Sequence, residues 1–312
     1  MTSYTDNLAE VPCAICNSKD YKVIYESRFP EIVDEDFLTS VYSSSSEVVL
    51  YERVVKCSNC GFVYTSPRLK NELIHQLYVD GSDEEFTTQD DLRVLTSNRN
   101  IKQLMKMGKF SNRSHNKLLD IGCGSGSFLR SCRDNGFSGE GIEPSKWLSS
   151  YSSTTHGLKV HQGILAENIK NLDDNYDLVS MWDVIEHLSN PSEELKIIRT
   201  ILNDEGFLIL NIPDIDSSIA KLMGRKWPFY LSVHLLYFSK KTIQKLLKQC
   251  GFEIVSYARH WQSLKLGYVF SKATGILPFL KFLSPIFNIS FIYNLTFTYW
   301  IGQSLILAKK SK

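Results

Sequence analysis

The stretch Leu118-Leu119-Asp120-Ile121-Gly122-Cys123-Gly124-Ser125-Gly126-Ser127-Phe128-Leu129 decides the fold of this chain. Apolar residues lead through a carboxylate into three glycines and then into apolar residues again. This order is typical of a strand, a tight turn and the first turn of a helix. Because glycine has no Cβ, a ligand can lie against bare backbone at such a turn. The spacing is Gly-x-Gly-x-Gly, whereas the dinucleotide-binding fingerprint would require a glycine in place of Ser127.

Strand-like and helix-like segments alternate on both sides of this turn. Alternation of this kind predicts an α/β fold with a parallel sheet that helices cover on both faces. Ligands of such sheets bind at the carboxyl ends of the strands, where the glycine turn lies. The predicted strands lie near residues 117–121, 138–142, 158–162, 176–181, 206–212, 252–260 and 303–309, and the predicted helices near 126–135, 145–156, 191–202 and 239–250.

Four of the seven cysteines form two Cys-x-x-Cys pairs, Cys13 with Cys16 and Cys57 with Cys60. The polar N-terminus has no basic region followed by an apolar run, so we expect a cytoplasmic protein with reduced cysteines. In that setting two such pairs more often bind metal than form disulfides, and four thiolates suit a tetrahedral structural Zn²⁺. A redox dithiol is the alternative, but neither pair opens a strand–helix unit.

These patterns divide the chain into three parts. We predict a strand-rich, zinc-ribbon-like module over residues 11–66, a helical linker or lid over 67–113, and an α/β domain over 114–312. An aromatic-rich insert at 262–302 interrupts the α/β domain. The last part of the insert belongs to a stretch of 27 residues without a charged side chain, from Phe282 to Ala308. A transmembrane helix, an ordinary buried helical insert, and an element that touches a membrane or covers the substrate all remain open for it.

Asp120, the three glycines and Glu143 at the end of the second predicted strand together resemble the class I S-adenosylmethionine (SAM) dependent methyltransferases. The resemblance implies a Rossmann-like sheet of seven strands with the last one antiparallel. It also implies that Gly122, Gly124 and Gly126 receive the methionine tail of SAM, with Asp120 beside them. The carboxylate of Glu143 would accept hydrogen bonds from the ribose hydroxyls.

The same resemblance assigns residues to the adenine and to the sulfonium. Many members of the family place an acidic residue after the third strand, and here Ile164 stands there. We therefore expect adenine to be held by backbone groups and apolar packing at Ile164, or by Glu167 if the register differs. Trp182 and Asp183 follow the fourth strand and would lie beside the sulfonium of SAM.

Two histidines complete the set of candidate catalytic residues. If residues 183–187 form a helical turn, Asp183, Glu186 and His187 share one face. Together with a later histidine, His234, this unit resembles metal-assisted methyltransferases that act on vicinal hydroxyls. We therefore consider a second divalent metal at these four residues, while a structural role for either histidine stays open.

The segment Leu231-Ser232-Val233-His234 indicates the class of acceptor. It resembles a loop of zinc-containing sugar C-methyltransferases and related glycan-cluster enzymes of surface-polysaccharide and natural-product pathways. Their loop reads Tyr-x-Glu-His, so the histidine is kept here while the tyrosine and glutamate are lost. His234 is the predicted general base, because an imidazole has an unperturbed pKa near neutrality.

The expected function is a SAM-dependent methyltransferase acting on a hydroxyl of a sugar, in a nucleotide sugar, a glycan or a lipid-linked intermediate. The alternatives are an O-methyltransferase of a quinol or other small aromatic, with metal assistance in one version, and a non-catalytic scaffold with the SAM fold. With 35 basic and 34 acidic residues the chain has no charge excess for nucleic-acid binding. Peripheral membrane contact through 262–302 is one of the alternatives considered for the insert, and the oligomeric state stays open.

Overall fold

The computed structural model describes residues 2–3, 7–30, 32–42, 50–81, 84–88, 90–106, 117–276, 278–287 and 289–311. The first part of the chain holds short strands, and three helices follow it. The elements are β1 Thr2–Ser3, β2 Leu8–Ala9, β3 Tyr21–Tyr25, β4 Ile32–Val33, α1 Glu35–Tyr42, β5 Val54–Cys57, β6 Val63–Thr65, β7 Arg68–Leu69, α2 Asn71–Asp80, α3 Glu84–Thr87 and α4 Asp90–Lys106.

The second part alternates strands and helices as the sequence predicts. Its strands are β8 Lys117–Ile121, β9 Ser138–Glu143, β10 Val160–Gln162, β11 Tyr176–Met181, β12 Leu202–Pro213, β13 Leu236–Tyr237, β14 Phe252–Arg259, β15 Gln262–Lys265, β16 Thr296–Tyr299 and β17 Gln303–Lys310. Its α-helices are α5 Ser127–Asp134, α6 Lys146–His156, α7 Leu165–Asn168, α8 Pro191–Ile201, α9 Ser218–Met223, α10 Lys240–Gln249, α11 Leu266–Ile276, α12 Ser284–Phe287 and α13 Ser290–Tyr293. Short 3₁₀ helices cover Ile169–Asn171, Ile185–His187, Gly224–Lys226 and Pro278–Leu283.

Seven strands form one sheet in the order β10-β9-β8-β11-β12-β17-β14. The strands from β10 to β12 are parallel, and β17 is antiparallel to both of its neighbours. The predicted fold class is therefore confirmed. Strand order reverses between β8 and β11, which places the ends of these two strands at the crevice where α/β folds bind ligands.

The predicted bounds agree closely at β8 and β11, and the largest difference lies at β12. This strand begins at Leu202, four residues before the predicted start at 206. Leu202 pairs with Tyr176, and the register between β11 and β12 then shifts before Leu178 pairs with Phe207. The irregular start carries exposed polar residues, so its hydrophobic pattern is not that of a strand.

The N-terminal part and the sheet share one hydrophobic core. Cys13, Phe62 and Tyr64 belong to the same buried cluster as Leu119 and Val179 of the sheet. In addition, β13 pairs with β6 and completes a four-stranded antiparallel sheet in the order β13-β6-β5-β3. The predicted division at residue 66 stays a prediction, and the sheet of the N-terminal module includes a strand from the α/β part of the chain.

The insert at 262–302 combines a two-stranded antiparallel ribbon, β15 with β16, and short helices. Three of its large side chains lie at the surface, since Phe279, Phe282 and Phe291 are 66, 71 and 75% exposed. The described residues therefore contradict the alternative of an ordinary buried helical insert. Nowhere in the described ranges does a helix have the length and apolar character needed to cross a membrane.

Candidate active site

The glycine turn connects β8 to α5 at the carboxyl edge of the sheet. The backbone φ angles of Gly122, Gly124 and Gly126 are +66°, +55° and +80°. Residues other than glycine rarely adopt this left-handed conformation. The Gly122 and Cys123 N–H groups both donate to the Ile142 carbonyl, at 2.8 and 3.1 Å, which ties the turn to β9. The three predicted glycines thus form one bare backbone surface.

A side chain at these glycines would also collide with its neighbours. A Cβ on Gly122 would lie 2.5 Å from Cγ2 of Val184, and one on Gly124 would lie 3.0 Å from Cε1 of Phe86. A Cβ on Gly126 would meet the Leu158 side chain. The turn therefore requires glycine for space as well as for backbone conformation.

Gly122→Ala is expected to destabilise the chain by about 2–5 kcal/mol, the cost of the left-handed conformation plus that of overpacking against Val184. Gly157→Ala is the matched control, because Gly157 has a φ of +61° with nothing within 4 Å of its Cβ position. The control should lose only about 1–2 kcal/mol. Urea unfolding measures both, and equal losses would show that the Val184 contact is unimportant.

Two buried carboxylates flank the turn. The Glu143 side chain, at the end of β9, accepts the Gly124 N–H and the Ser145 N–H, both at 2.8 Å. The Asp120 carboxylate accepts the Ser180 hydroxyl at 2.7 Å. Burial, together with the charge of Glu143, raises the pKa of Asp120 to about 7, although the Ser180 hydrogen bond opposes that rise.

The helical segment before β8 covers the turn. The Phe86 ring lies over Gly124, and the Arg93 guanidinium lies 3.6 Å from the centroid of that ring. Arg93 also donates to the Phe86 carbonyl oxygen. On α4, Asp90 accepts the Ser127 hydroxyl at 3.4 Å, which joins the cover to the start of α5. The helical segment is thus packed against the glycine turn, and its role as a lid stays a prediction.

Asp183 follows β11 in a left-handed conformation, with φ +53°. Its N–H donates to Oδ1 of Asn211 at 2.6 Å, and its carboxylate accepts Nδ2 of Asn211 at 2.6 Å and Nε2 of Gln303 at 2.7 Å. Burial raises the pKa of Asp183, and these hydrogen bonds and Arg93 oppose that rise. The side chain is therefore held by two amides from β12 and β17.

Sequence reasoning missed this network, which also includes His260. Nδ2 of Asn211 lies 3.2 Å from Nδ1 of His260, whose ring packs against Trp182 at a centroid distance of 5.6 Å. The Trp182 ring also contacts Phe128, at 4.9 Å. Asn211 is the one polar residue in the apolar end of β12, Leu208–Pro213, and Gln303 precedes the apolar run Leu305–Ala308 of β17. That contrast was the available signal, because a buried amide requires partners.

Asp183, Glu186 and His187 do not lie together on one face of a helical turn, as the residue spacing had suggested. Because Asp183 is left-handed, the 3₁₀ turn begins only at Ile185, and the Asp183 carboxylate faces Asn211 and Gln303 instead. Glu186, His187 and His234 come together without it, with one ligand atom from each within 4.8 Å of the others. Three of the four residues considered for a second metal are thus adjacent.

In this cluster His234 is buried and His187 is half-buried. Burial lowers the pKa of His187 to about 4. Burial also lowers the pKa of His234 well below its ordinary value, and the neighbouring His187 acts in the same direction. Burial likewise raises the pKa of Glu186. A depressed pKa weakens an imidazole as a proton acceptor, so the role of His234 as general base stays a prediction.

Ile164 lies just after β10, at the position expected for the adenine contact. It caps α7, and its N–H donates to the Glu167 carboxylate at 3.3 Å. Glu167 is thus engaged in capping a helix. Which of these two residues contacts adenine stays a prediction.

The four cysteines of the two pairs converge, as predicted. The Cys13 and Cys60 sulfurs are 3.4 Å apart, the Cys16 and Cys57 sulfurs 3.5 Å, and all four lie within 4.8 Å of one another. They are free thiols rather than disulfides. Each pair sits in a turn that ends in a left-handed residue, Asn17 or Gly61. Four sulfurs in this arrangement fit a tetrahedral metal ion.

A cavity of about 540 Å³ opens beside these turns, between the N-terminal module and the α/β part. The polar residues that line it, apart from the cysteines, are Asn17, Tyr64, Arg68, Asn71, Ser189, Asn190 and Gln249. Nη2 of Arg68 donates to the Asn71 side chain and the Ser189 carbonyl at 3.4 Å. Within the described ranges, Nε of Arg68 and the Tyr64 hydroxyl have no hydrogen-bond partner. Burial lowers the pKa of Arg68 to about 10, so it remains charged at neutral pH.

Comparison with known proteins gives a consistent result. A protein-family profile described as a methyltransferase domain matches residues 93–257, more than half of the chain. A tRNA U34 carboxymethyltransferase of Aeromonas salmonicida is 27% identical over 142 residues, which are 43% of this chain and 44% of that protein. A ubiquinone biosynthesis O-methyltransferase of the same bacterium is 27% identical over 100 residues, which are 30% of this chain and 42% of that protein.

The chain therefore spans less than half the length of these two curated relatives. Among solved structures, a SAM-dependent methyltransferase from Archaeoglobus fulgidus superposes with a TM-score of 0.50 at 19% identity. The superposition covers 73% of this chain and 100% of that one. At this identity the similarity shows a shared fold.

Proposed function

The chain belongs to the methyltransferase-domain family, and on that premise we propose that it transfers the methyl group of SAM to a hydroxyl of a sugar. The observation that carries the proposal is the meeting of the bare glycine turn, Glu143 and Asp183 at one edge of the sheet. SAM supplies a methyl group on a positively charged, electrophilic sulfonium. The protein must therefore chiefly bind and align, because alignment of the reacting groups supplies much of the rate.

We assign each residue at this edge a role in binding SAM or in the transfer of the methyl group. The bare backbone of Gly122 and Gly124 receives the methionine tail, and Asp120 faces its ammonium group. The Glu143 carboxylate accepts the ribose hydroxyls, while Ile164 packs against adenine. Asp183 presents a negative group beside the sulfonium, because Asn211 and Gln303 fix its carboxylate. His234 takes the proton that the acceptor hydroxyl releases.

The polar cavity supports a sugar as acceptor rather than a quinol. Its lining amides can bind sugar hydroxyls, and the buried charge of Arg68 suits the phosphate of a nucleotide sugar or a lipid-linked sugar. The ubiquinone O-methyltransferase similarity is the reason to keep a quinol as the second candidate. A quinol ring would instead favour an apolar pocket with few polar groups.

The function can be tested with deuterium-labelled SAM. The full chain is incubated with nucleotide sugars, lipid-linked oligosaccharides and a short-chain quinol in parallel, and products are identified by mass spectrometry. We expect labelled methyl groups on a sugar. Label on the quinol alone would overturn the sugar assignment, and label on no acceptor or cell-extract fraction would favour a scaffold role.

Arg68→Gln is expected to raise the acceptor KM by about tenfold or more, because a charge-assisted hydrogen bond contributes about 1.5–3 kcal/mol. The Kd of SAM should not change, since Arg68 lies apart from the glycine turn. Steady-state kinetics with the labelled acceptor and calorimetry with SAM measure the two quantities. A change in the Kd of SAM with an unaltered acceptor KM would place the anion contact elsewhere.

The insert at 262–302 supports an acceptor carried by a lipid. Phe282 and Phe291 are exposed, and the chain has no acidic residue after Glu253, whereas it has lysines such as Lys281. An apolar surface with only basic charges suits an anionic bilayer. Phe282→Ser with Phe291→Ser should therefore reduce binding to phosphatidylglycerol vesicles about tenfold or more.

Leu222→Ser is the matched control for vesicle binding, because Leu222 is 88% exposed and lies on α9 outside the insert. Sedimentation of the full chain with vesicles measures the binding. Absence of wild-type binding, or an equal loss in the control, would remove the insert as a membrane contact.

A further inference from the structure

We propose that His260 is a positioning residue for methyl transfer, which holds the Asn211 amide against the Asp183 carboxylate. The proposal rests on the function proposed above, where Asp183 lies beside the sulfonium of SAM. Nδ1 of His260 lies 3.2 Å from Nδ2 of Asn211, and that amide is bonded twice to Asp183. His260 and Asn211 are 3% and 0% exposed, so water does not compete for these contacts.

The hydrogen bonds of Asp183 define how the Asn211 amide is oriented. A backbone N–H can only donate, so the atom of Asn211 that lies 2.6 Å from the Asp183 nitrogen must be Oδ1. Nδ2 then occupies the other position, and one of its hydrogens points to the Asp183 carboxylate at 2.6 Å. Its second hydrogen is left for Nδ1 of His260, which must therefore accept.

This acceptor role determines the tautomer of His260. A neutral imidazole has one donor and one acceptor nitrogen, so Nε2 carries the hydrogen. Burial lowers the pKa of His260 to about 4, and the ring is therefore neutral at neutral pH. Nε2 lies 3.2 Å from Nδ2 of Asn100, where two donors would face each other. A half-turn of the Asn100 amide brings its oxygen to this position, and Nε2 then donates to it.

His260 thereby joins Asp183 to the helix that covers the glycine turn. Asn100 is 3% exposed and lies on α4, which also carries Arg93 beside the Phe86 ring. One imidazole ring thus connects the cover of the glycine turn with the carboxylate that would face the sulfonium.

The backbone and the packing of His260 fix its ring in place. The His260 N–H donates to the Gln303 carbonyl at 3.0 Å, and the Gln303 side chain donates to Asp183. The ring packs against Trp182, the residue before Asp183, at a centroid distance of 5.6 Å. A side chain locked in this way can hold its partner with the precision that alignment of the reacting groups requires.

Asparagine and glutamine separate the two hydrogen bonds of the His260 ring. In His260→Asn the amide oxygen takes the position of Nδ1, because both atoms are bonded to Cγ, so the bond to Asn211 can be kept. In His260→Gln the amide extends to the position of Nε2, which keeps the contact with Asn100 and loses that with Asn211. Each variant removes one hydrogen bond, and the two are matched controls for each other.

The first readout does not require an acceptor. Hydrogen exchange of the Asp183 backbone N–H, which donates to Asn211, is followed in the full chain by NMR. We expect exchange about tenfold faster in His260→Gln and nearly unchanged in His260→Asn. A merely structural role would speed exchange equally in both variants, and that result would overturn the proposal. If His260→Gln does not fold, the wild-type ring decides, because nitrogen NMR that placed the hydrogen on Nδ1 would also overturn it.

The second readout is turnover with the acceptor that takes label from deuterated SAM. The kcat of His260→Gln should fall about 100-fold, whereas the Kd of SAM, measured by calorimetry, should stay within about threefold. His260→Asn should retain most of the wild-type kcat, and equal kcat values in the two variants would overturn the positioning role. Absence of SAM binding, or of label on any acceptor, would instead overturn the proposed function, and the exchange comparison would then decide whether His260 holds Asn211.

Discussion

Replacing Glu143 by glutamine should weaken SAM binding about 100-fold while the chain stays folded. In the proposed complex this carboxylate accepts two ribose hydroxyls, and hydrogen bonds to a charged group contribute about 1.5–3 kcal/mol each. The glutamine amide also cannot accept both the Gly124 and Ser145 N–H groups, because only one of its two terminal atoms is an acceptor. Calorimetric titration with SAM measures the change.

Glu140→Gln provides the matched control on the same strand. Glu140 lies earlier on β9 and is buried beside Lys159, His161 and Tyr176, away from the carboxyl end. Its replacement should lower stability but leave the Kd of SAM within about threefold. If the two variants bound SAM equally well, the ribose contact would have to be assigned to another residue.

Replacing Cys57 and Cys60 together by serine should remove one equivalent of zinc and lower the Tm by about 10 °C or more. Structural zinc contributes folding free energy directly, and the cysteines share a core with the sheet. Acceptor turnover should be lost as well, since β6 follows these cysteines and pairs with β13 beside His234. Elemental analysis and thermal unfolding give the first two quantities.

Cys250→Ser is the control for loss of a buried thiol. Its sulfur is outside the cluster and lies 3.7 Å from the Ser192 carbonyl, a contact that serine can keep. Zinc content should be unchanged and the Tm nearly so. Unaltered zinc in the double variant would show that the four cysteines do not bind the ion.

The seven strands and the glycine turn could be predicted because their signals are local. Residues 117–121 and 176–181 are short segments rich in large apolar residues, and each is a strand with those same bounds. The convergence of the two cysteine pairs was also predictable, since two Cys-x-x-Cys turns have few other uses in a reduced protein. In each case the decisive residues lie within a few positions of one another.

The parts that could not be predicted depend on distant contacts. The two residues of β13 carry no local strand signal, and their pairing with β6 joins positions more than 170 apart in the chain. Likewise, the conformation of Asp183 is stabilised by Asn211 and Gln303 from two other strands. Residue spacing alone suggested a helical face for Asp183, and tertiary hydrogen bonds override it.

Because β13 completes the sheet of the N-terminal module, this module cannot be exchanged for that of another protein independently of the α/β part. The Thr65 N–H donates to the Leu235 carbonyl at 3.0 Å, and the rings of Phe62 and Phe238 lie 5.1 Å apart. A chimera that joined a foreign module at residue 66 would leave this strand edge and the Phe238 ring uncovered. Domain shuffling could therefore succeed only if the module and the loop at residues 231–239 were exchanged together.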